Sequence, residues 1–275
     1  MKRISVWSIL FLALVLLFLY LPIFTVVLYS FNSNDARVPI EFTGFTARWY
    51  DQLFTGAGHY GDALLVSVRV ALLSVALSTA IGTLGAIGMA QRERAAKPGK
   101  AATALEWLVM LPIMIPDVIL GVAFLGIFLA VGIPKNEIAL VLSHTTFCIP
   151  YLYLTVKSRL VGMDQAVFDA ARDLGASPRR VLLDITLPLC RPAILSGAFL
   201  ALAMSLDDFV ISFFVSDTAV TLPVKVYSAV KLGISPQINA LCTVMIAAVF
   251  TAVAVSQYAA AVRRRRQSRA QTQAL

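Results

Sequence analysis

The sequence predicts an all-α polytopic membrane protein with about six transmembrane helices, and three observations carry that prediction. Of 275 residues, 59% are hydrophobic and only 14% charged, with a mean hydropathy of +0.82; a soluble domain keeps roughly a quarter of its residues charged. The apolar residues come in uninterrupted blocks, and about 20 in a row cross a hydrocarbon core ~30 Å thick. The basic residues gather between those blocks on one side of the membrane.

The blocks place spans at 6–29, 62–90, 105–131, 137–156, 192–215 and 238–262. The first is longer than a secretory h-region and no small-residue cleavage site follows it, so it reads as an anchor that Pro22 kinks without ending. In the second, Gly82, Gly85, Ala86 and Gly88 suit close helix–helix packing. In the third, Pro112 and Pro116 are expected to break the helix and free backbone carbonyls. Two connections are too long for simple turns: an outer one, 31–61, with Trp49 and Tyr50 suited to an interfacial helix, and an inner one, 157–191.

Orientation follows from Lys and Arg. With the N-terminus inside, one face carries Lys2 and Arg3; Arg92, Arg94, Lys97 and Lys100; Lys157, Arg159, Arg172, Arg179, Arg180 and Arg191; and Arg263, Arg264, Arg265, Arg266 and Arg269. The other face carries Arg37, Arg48, Lys135, Lys225 and Lys231. Seventeen against five puts both termini in the cytoplasm, with a basic tail near lipid headgroups. The net charge of +8 therefore reads as membrane orientation and not as a nucleic-acid face.

The inner connection carries helix signals. Asp164 is placed to cap a short helix, and Val167, Ala170, Ala171 and Leu174 form one apolar stripe. Gly175 falls where a left-handed residue ends the helix. Ser177 then caps a second helix with Pro178 at its first position, and Pro188 and Pro192 are expected to end it before the next span. Such a hairpin either lies on lipid headgroups or docks a partner.

Several classes of chemistry find no support. Cys148, Cys190 and Cys242 are far apart without metal-ligand spacing and read as reduced packing residues. No nucleophile–base pair or metal cluster stands out. Gly99-Lys100 is the only Gly-Lys pair, and Arg94 occupies the position of a phosphate loop's first glycine. ATP, if used, is hydrolysed on another polypeptide.

Asp169-Ala170-Ala171, Gly175 and Ile185-Thr186-Leu187-Pro188 resemble the E-A-A-x3-G-x9-I-x-L-P signature of binding-protein-dependent ABC importer permeases, departing only in Asp169 for Glu. The likeness extends along the chain. Tyr29-Ser30-Phe31-Asn32-Ser33, Trp49-Tyr50, Pro116-Asp117, His144-Thr145-Thr146-Phe147-Cys148, Ser205-Leu206-Asp207-Asp208-Phe209-Val210 and Ser235-Pro236-Gln237-Ile238-Asn239-Ala240 resemble the spermidine/putrescine permease subfamily, its second permease subunit type most of all. The resemblance implies one type I importer transmembrane domain over 1–275 in a bacterial inner membrane, with 164–188 as its coupling loop. It implies a homologous permease, two copies of an ATPase that hold ATP and Mg, and a periplasmic polyamine-binding protein as partners. In that mechanism ATP closes the ATPase dimer and the coupling loop carries the motion to the helices.

A polyamine is a row of ammonium groups separated by methylenes, so its path needs spaced carboxylates along an apolar or aromatic passage. Beyond the first two residues of each apolar block, three acids stand inside: Asp117, Asp207 and Asp208. Each reads either as a substrate contact or as a structural ion pair. On a continuous helix Asp207 and Asp208 would point about 100° apart and could not share one pore; Asp207 is favoured for the pore by resemblance, with Asp208 paired to a base such as Arg69. His144 reads as a proton relay or as a hydrogen-bonded packing residue. A permease of the same build for another solute or a metal ion, and a proton-driven secondary transporter, are the rival functions.

Overall fold

The computed structural model describes residues 6–34, 36, 41–55, 58–95, 99–231, 233 and 236–273. Expectations resting on Lys2, Arg3, Arg37, Lys97 and Ser235, and on the side chains of Arg263 to Arg266 and Arg269, lie outside them. In chain order the helices are α1 (Val6–Tyr29), α2 (Arg48–Phe54), α3 (Tyr60–Ala95), α4 (Lys100–Met114), α5 (Asp117–Val131) and α6 (Glu137–Val161). There follow α7 (Gln165–Asp173), α8 (Pro178–Arg180), a π-helical turn at Val181–Thr186, α9 (Leu187–Asp207), α10 (Val210–Val215), α11 (Leu222–Lys231) and α12 (Pro236–Gln273). Among the described residues five stretches are long and apolar enough to cross a membrane, and α4 with α5 makes a sixth if the pair, bent by 110°, counts as one span. That agrees with the expected six.

The chain forms two compact units, residues 1–60 with 226–275, and residues 61–225. In the first, α12 packs against both α1 and α2. No residue of α1 is buried, which lipid tolerates because its tails are as apolar as leucine. The short motifs of the outer connection come together here. Trp49 Nε1 donates to Asn32 O at 2.7 Å, and Ser30 Oγ meets Tyr50 Oη at 2.6 Å. Buried Asn32 holds the returning strand of the loop through Glu41 O at 2.8 Å and the Thr43 N–H at 3.1 Å. Trp49 is thus an internal strut of this connection.

In the second unit α6 is the central post, with α9, α4 and α10 against it and α10 also on α5. Val70, Leu120, Phe124, Phe128, Leu140, Phe147 and Leu152 form the core there. Three glycines permit the closest approaches in this unit: a Cβ at Gly82 would lie 2.7 Å from Leu152 Cβ, one at Gly121 2.7 Å from Phe214 Cδ2, and one at Gly197 2.9 Å from Leu152 Cδ1. Of the small-residue cluster on α3, Gly82 and fully buried Ala86 pack closely, whereas Gly88 faces open space. Buried hydroxyls at Ser74, Ser143 and Thr145 are satisfied by the carbonyl four residues back, so they cost little inside the bundle.

Three boundary expectations are corrected. Pro112 lies inside α4, and the break falls at Ile115-Pro116 alone; Ile115 is extended (ψ 132°), as a residue before proline tends to be. Neither Pro188 nor Pro192 ends the second loop helix, which runs through into α9 with both prolines inside its bounds. The π turn just before it shifts the hydrogen-bond ladder, with Leu187 N–H bonded to Leu182 O and Thr186 Oγ to Val181 O at 3.0 Å. That places the irregular turn where Pro188 has no N–H to give. Finally, the fifth span is interrupted: α9 stops at Asp207, and Asp208 is extended (φ −64°, ψ 120°) before α10 begins.

Candidate functional site

The two helix breaks meet. Asp117 opens α5 directly after the α4–α5 bend, and Asp207 and Asp208 occupy the α9–α10 break. All three line one cleft of about 190 Å³ together with Phe147, Tyr151 and Phe209. The expectation that Asp207 and Asp208 cannot share a pore fails because the helix ends between them, so the 100° rule does not apply. Asp117 and Asp207 are exposed and have no ion-pair partner among the described residues.

Asp208 differs from its neighbour. Its Oδ1 accepts from Ile211 N at 3.2 Å, and its Oδ2 accepts from Ser212 N and Ser212 Oγ, each at 2.8 Å, so it caps α10. His144 Nε2 lies 3.4 Å from Oδ2. The expected base, Arg69, pairs instead with Glu137 at 3.2 Å. Sequence reasoning could not see this, because His144 and Asp208 are brought together only by tertiary packing. His144 is fully buried and hydrogen-bonded at both ring nitrogens, to Ser205 Oγ at 2.7 Å and Ser212 Oγ at 3.0 Å.

The cytoplasmic loop forms as its caps dictate. Asp164 Oδ1 accepts from Ala166 N at 3.0 Å, Gly175 is left-handed at φ +80°, and Ser177 Oγ accepts from Arg180 N at 3.4 Å. The stripe turns outward: Val167 is 45% and Leu174 88% exposed, and Asp169 and Ala170 are exposed beside them. What ties the helix to its own chain is Phe168, off the stripe and only 4% exposed. The Arg94 guanidinium lies 4.6 Å over the Phe168 ring while donating to Leu160 O at 2.6 Å. Further along, Ile185 and Leu187 are half-buried and Pro188 is exposed.

A further charged cluster was missed in sequence. Lys157 on α6 holds Glu93 on α3 at 2.8 Å and also Glu106 on α4, which Tyr153 Oη reaches at 3.4 Å. Its signal was present: Glu106 stands one residue inside the third apolar block, and Glu93 and Lys157 at the edges of two others.

Residues 82–267 match the family described as binding-protein-dependent transport system inner membrane component. The chain belongs to that family. Among curated relatives, the spermidine/putrescine transport system permease protein PotC of Haemophilus influenzae is 39% identical over 248 residues, covering 90% of this chain and 93% of its own. PotC of Escherichia coli is 37% identical (90% and 91% covered), and the putrescine transport system permease protein PotI of the same species 36% identical (89% and 87%). Among solved structures, a bacterial ABC transporter that imports the acidic polysaccharide alginate covers 94% of this chain and 99% of its own at a TM-score of 0.67 and 14% identity. The MetNI methionine ABC transporter in an inward-facing form covers 70% and 92% at 0.56 and 18%. The fold is that of an ABC importer transmembrane domain, and this family member is a multi-pass inner-membrane protein.

Proposed function

We propose that this permease forms half of the translocation pathway of an ATP-driven polyamine importer, with putrescine or spermidine as cargo. The observation that carries the reading is the aromatic cleft edged by Asp117, Asp207 and Asp208, two of whose carboxylates have no base beside them among the described residues. An ammonium group loses several kcal/mol of hydration on leaving water, and carboxylates together with aromatic faces replace that hydration. A row of acids fits a row of ammonium groups, and the names of the PotC and PotI relatives point to the same cargo.

The remaining partners follow from the same reading. A homologous permease supplies the other half of the pathway, and a periplasmic binding protein delivers the polyamine. Two copies of a cytoplasmic ATPase, which hold the ATP and Mg, receive the outward stripe of α7 with Asp169, Ala170, Ala171 and the Gly175 turn. Ile185, Leu187 and Pro188 join that loop to α9. This chain itself carries out no covalent chemistry.

The test is uptake of radiolabelled putrescine and spermidine by cells lacking their own polyamine importers and expressing the complete transporter. Uptake that stops on ATP depletion and survives an uncoupler is expected. Uptake abolished by the uncoupler alone points to a proton-driven carrier, and no uptake of either amine overturns the cargo.

A further inference from the structure

A buried polar chain runs through the second unit beside the cleft. Ser74 on α3 donates to Val70 O at 2.6 Å and lies 3.4 Å from Ser205 Oγ on α9. Ser205 Oγ meets His144 Nδ1 on α6, and His144 Nε2 meets Ser212 Oγ on α10. The chain ends on Asp208, whose side chain is 8% exposed.

Counting donors fixes the direction at its last step. Ser212 has one hydroxyl proton, and the carboxylate 2.8 Å away can only accept it. His144 Nε2 therefore carries a hydrogen and donates toward Ser212 Oγ and Asp208 Oδ2. Oδ2 then collects Ser212 N, Ser212 Oγ and the imidazole, while Oδ1 has the single Ile211 N–H. A helix cap needs only the two backbone donors. A histidine from a different helix adds nothing to capping, but it ties the carboxylate to α6 and, through Ser205, to the other side of the α9–α10 break.

We propose that His144 is a positioning residue for the cleft: by gripping Asp208 and Ser205 on either side of the break, it holds the Asp208 carboxylate at the cleft edge. This rests on reading the cleft as the polyamine path. His144 touches no substrate and acts through Asp208.

The complete importer in proteoliposomes tests this, with polyamine moved per ATP hydrolysed as the readout in the parent, His144→Gln, His144→Ala, Asp208→Asn and His144→Ala/Asp208→Asn. Asparagine still caps a helix, so Asp208→Asn assembles, and glutamine keeps a donor within reach of Asp208. His144→Ala should lower the ratio about tenfold, as loss of a charge-assisted hydrogen bond does, and His144→Gln by no more than about threefold. The double variant should match Asp208→Asn within about twofold, because residues acting through one another are not additive. A ratio unchanged in His144→Ala, equal losses in His144→Gln and His144→Ala, or losses that multiply in the double variant would overturn the role while leaving the cleft assignment standing. A parent importer that moves neither amine overturns the cleft assignment, and the role of His144 falls with it.

Discussion

Two groups of acids in the same unit make opposite use of the same chemistry. At the cytoplasmic ends of α3, α4 and α6, Glu93 and Glu106 share the Lys157 ammonium. In the cleft, Asp117 and Asp207 are left without a basic partner among the described residues, and only Asp208 is bonded within the chain. A carboxylate that brings its own cation holds helices together; one left without a cation at a membrane-embedded break is ready for a cation from outside. The amine on Lys157 is chemically one end of a polyamine, so the Lys157 cluster displays the kind of pairing that the cleft leaves open.

The largest expected effect breaks the comparison on the cleft side. Asp117→Asn and Asp207→Asn should each cut polyamine uptake per assembled complex more than tenfold, since an amide keeps the shape but not the charge. Assembly should be normal, because a neutral amide is cheaper to desolvate than an unpaired carboxylate. Reduced protein level with unimpaired specific uptake would place these acids in structural roles instead.

The opposite result is expected at the paired cluster. Lys157→Met leaves two half-buried carboxylates facing each other and should lower stability by about 2 kcal/mol, seen as a drop of about 5 °C in the melting of detergent-solubilised protein. Adding Glu93→Gln and Glu106→Gln to Lys157→Met should recover most of that loss. Melting unchanged in Lys157→Met would mean the cluster does not hold the helices.

The smallest effect lies outside both groups and serves as the control on charge. A Cβ at Gly175 meets nothing within 4 Å, so Gly175→Val strains only the left-handed backbone, by about 1 kcal/mol. Co-purified ATPase per permease should fall while melting drops by no more than about 3 °C. A parental ratio together with parental uptake would remove the loop from docking.

What could be read from the sequence was local. Spans came from block length, and the loop's first helix and the start of its second from Asp164, Gly175, Ser177 and Pro178, each of which acts within one turn of itself. The three cleft acids stood out because a charge in an apolar block is conspicuous. What stayed hidden depended on partners distant in sequence: Asp208 with His144, Lys157 with Glu93, and Trp49 with Asn32. Proline misled three times, at Pro112, Pro188 and Pro192, because a helix held by its neighbours accommodates a missing N–H that an isolated one would not. The break between Asp207 and Asp208 carries no proline or glycine, and the capping potential of Asp208 was its only mark.

The π turn at Val181–Thr186 has a consequence for distant geometry. A wide turn is an α-helix carrying one surplus residue, and every residue after it inherits that offset. Removing one residue there would let the helix close to regular winding and turn all of α9 by about 100° with a shift of about 1.5 Å. Asp207, 20 residues beyond Leu187 and so roughly 30 Å along the axis, would swing off the cleft without itself being altered. The cytoplasmic loop thereby sets the phase of the membrane helix that follows it, and a one-residue change of length there is an angular change at the far end.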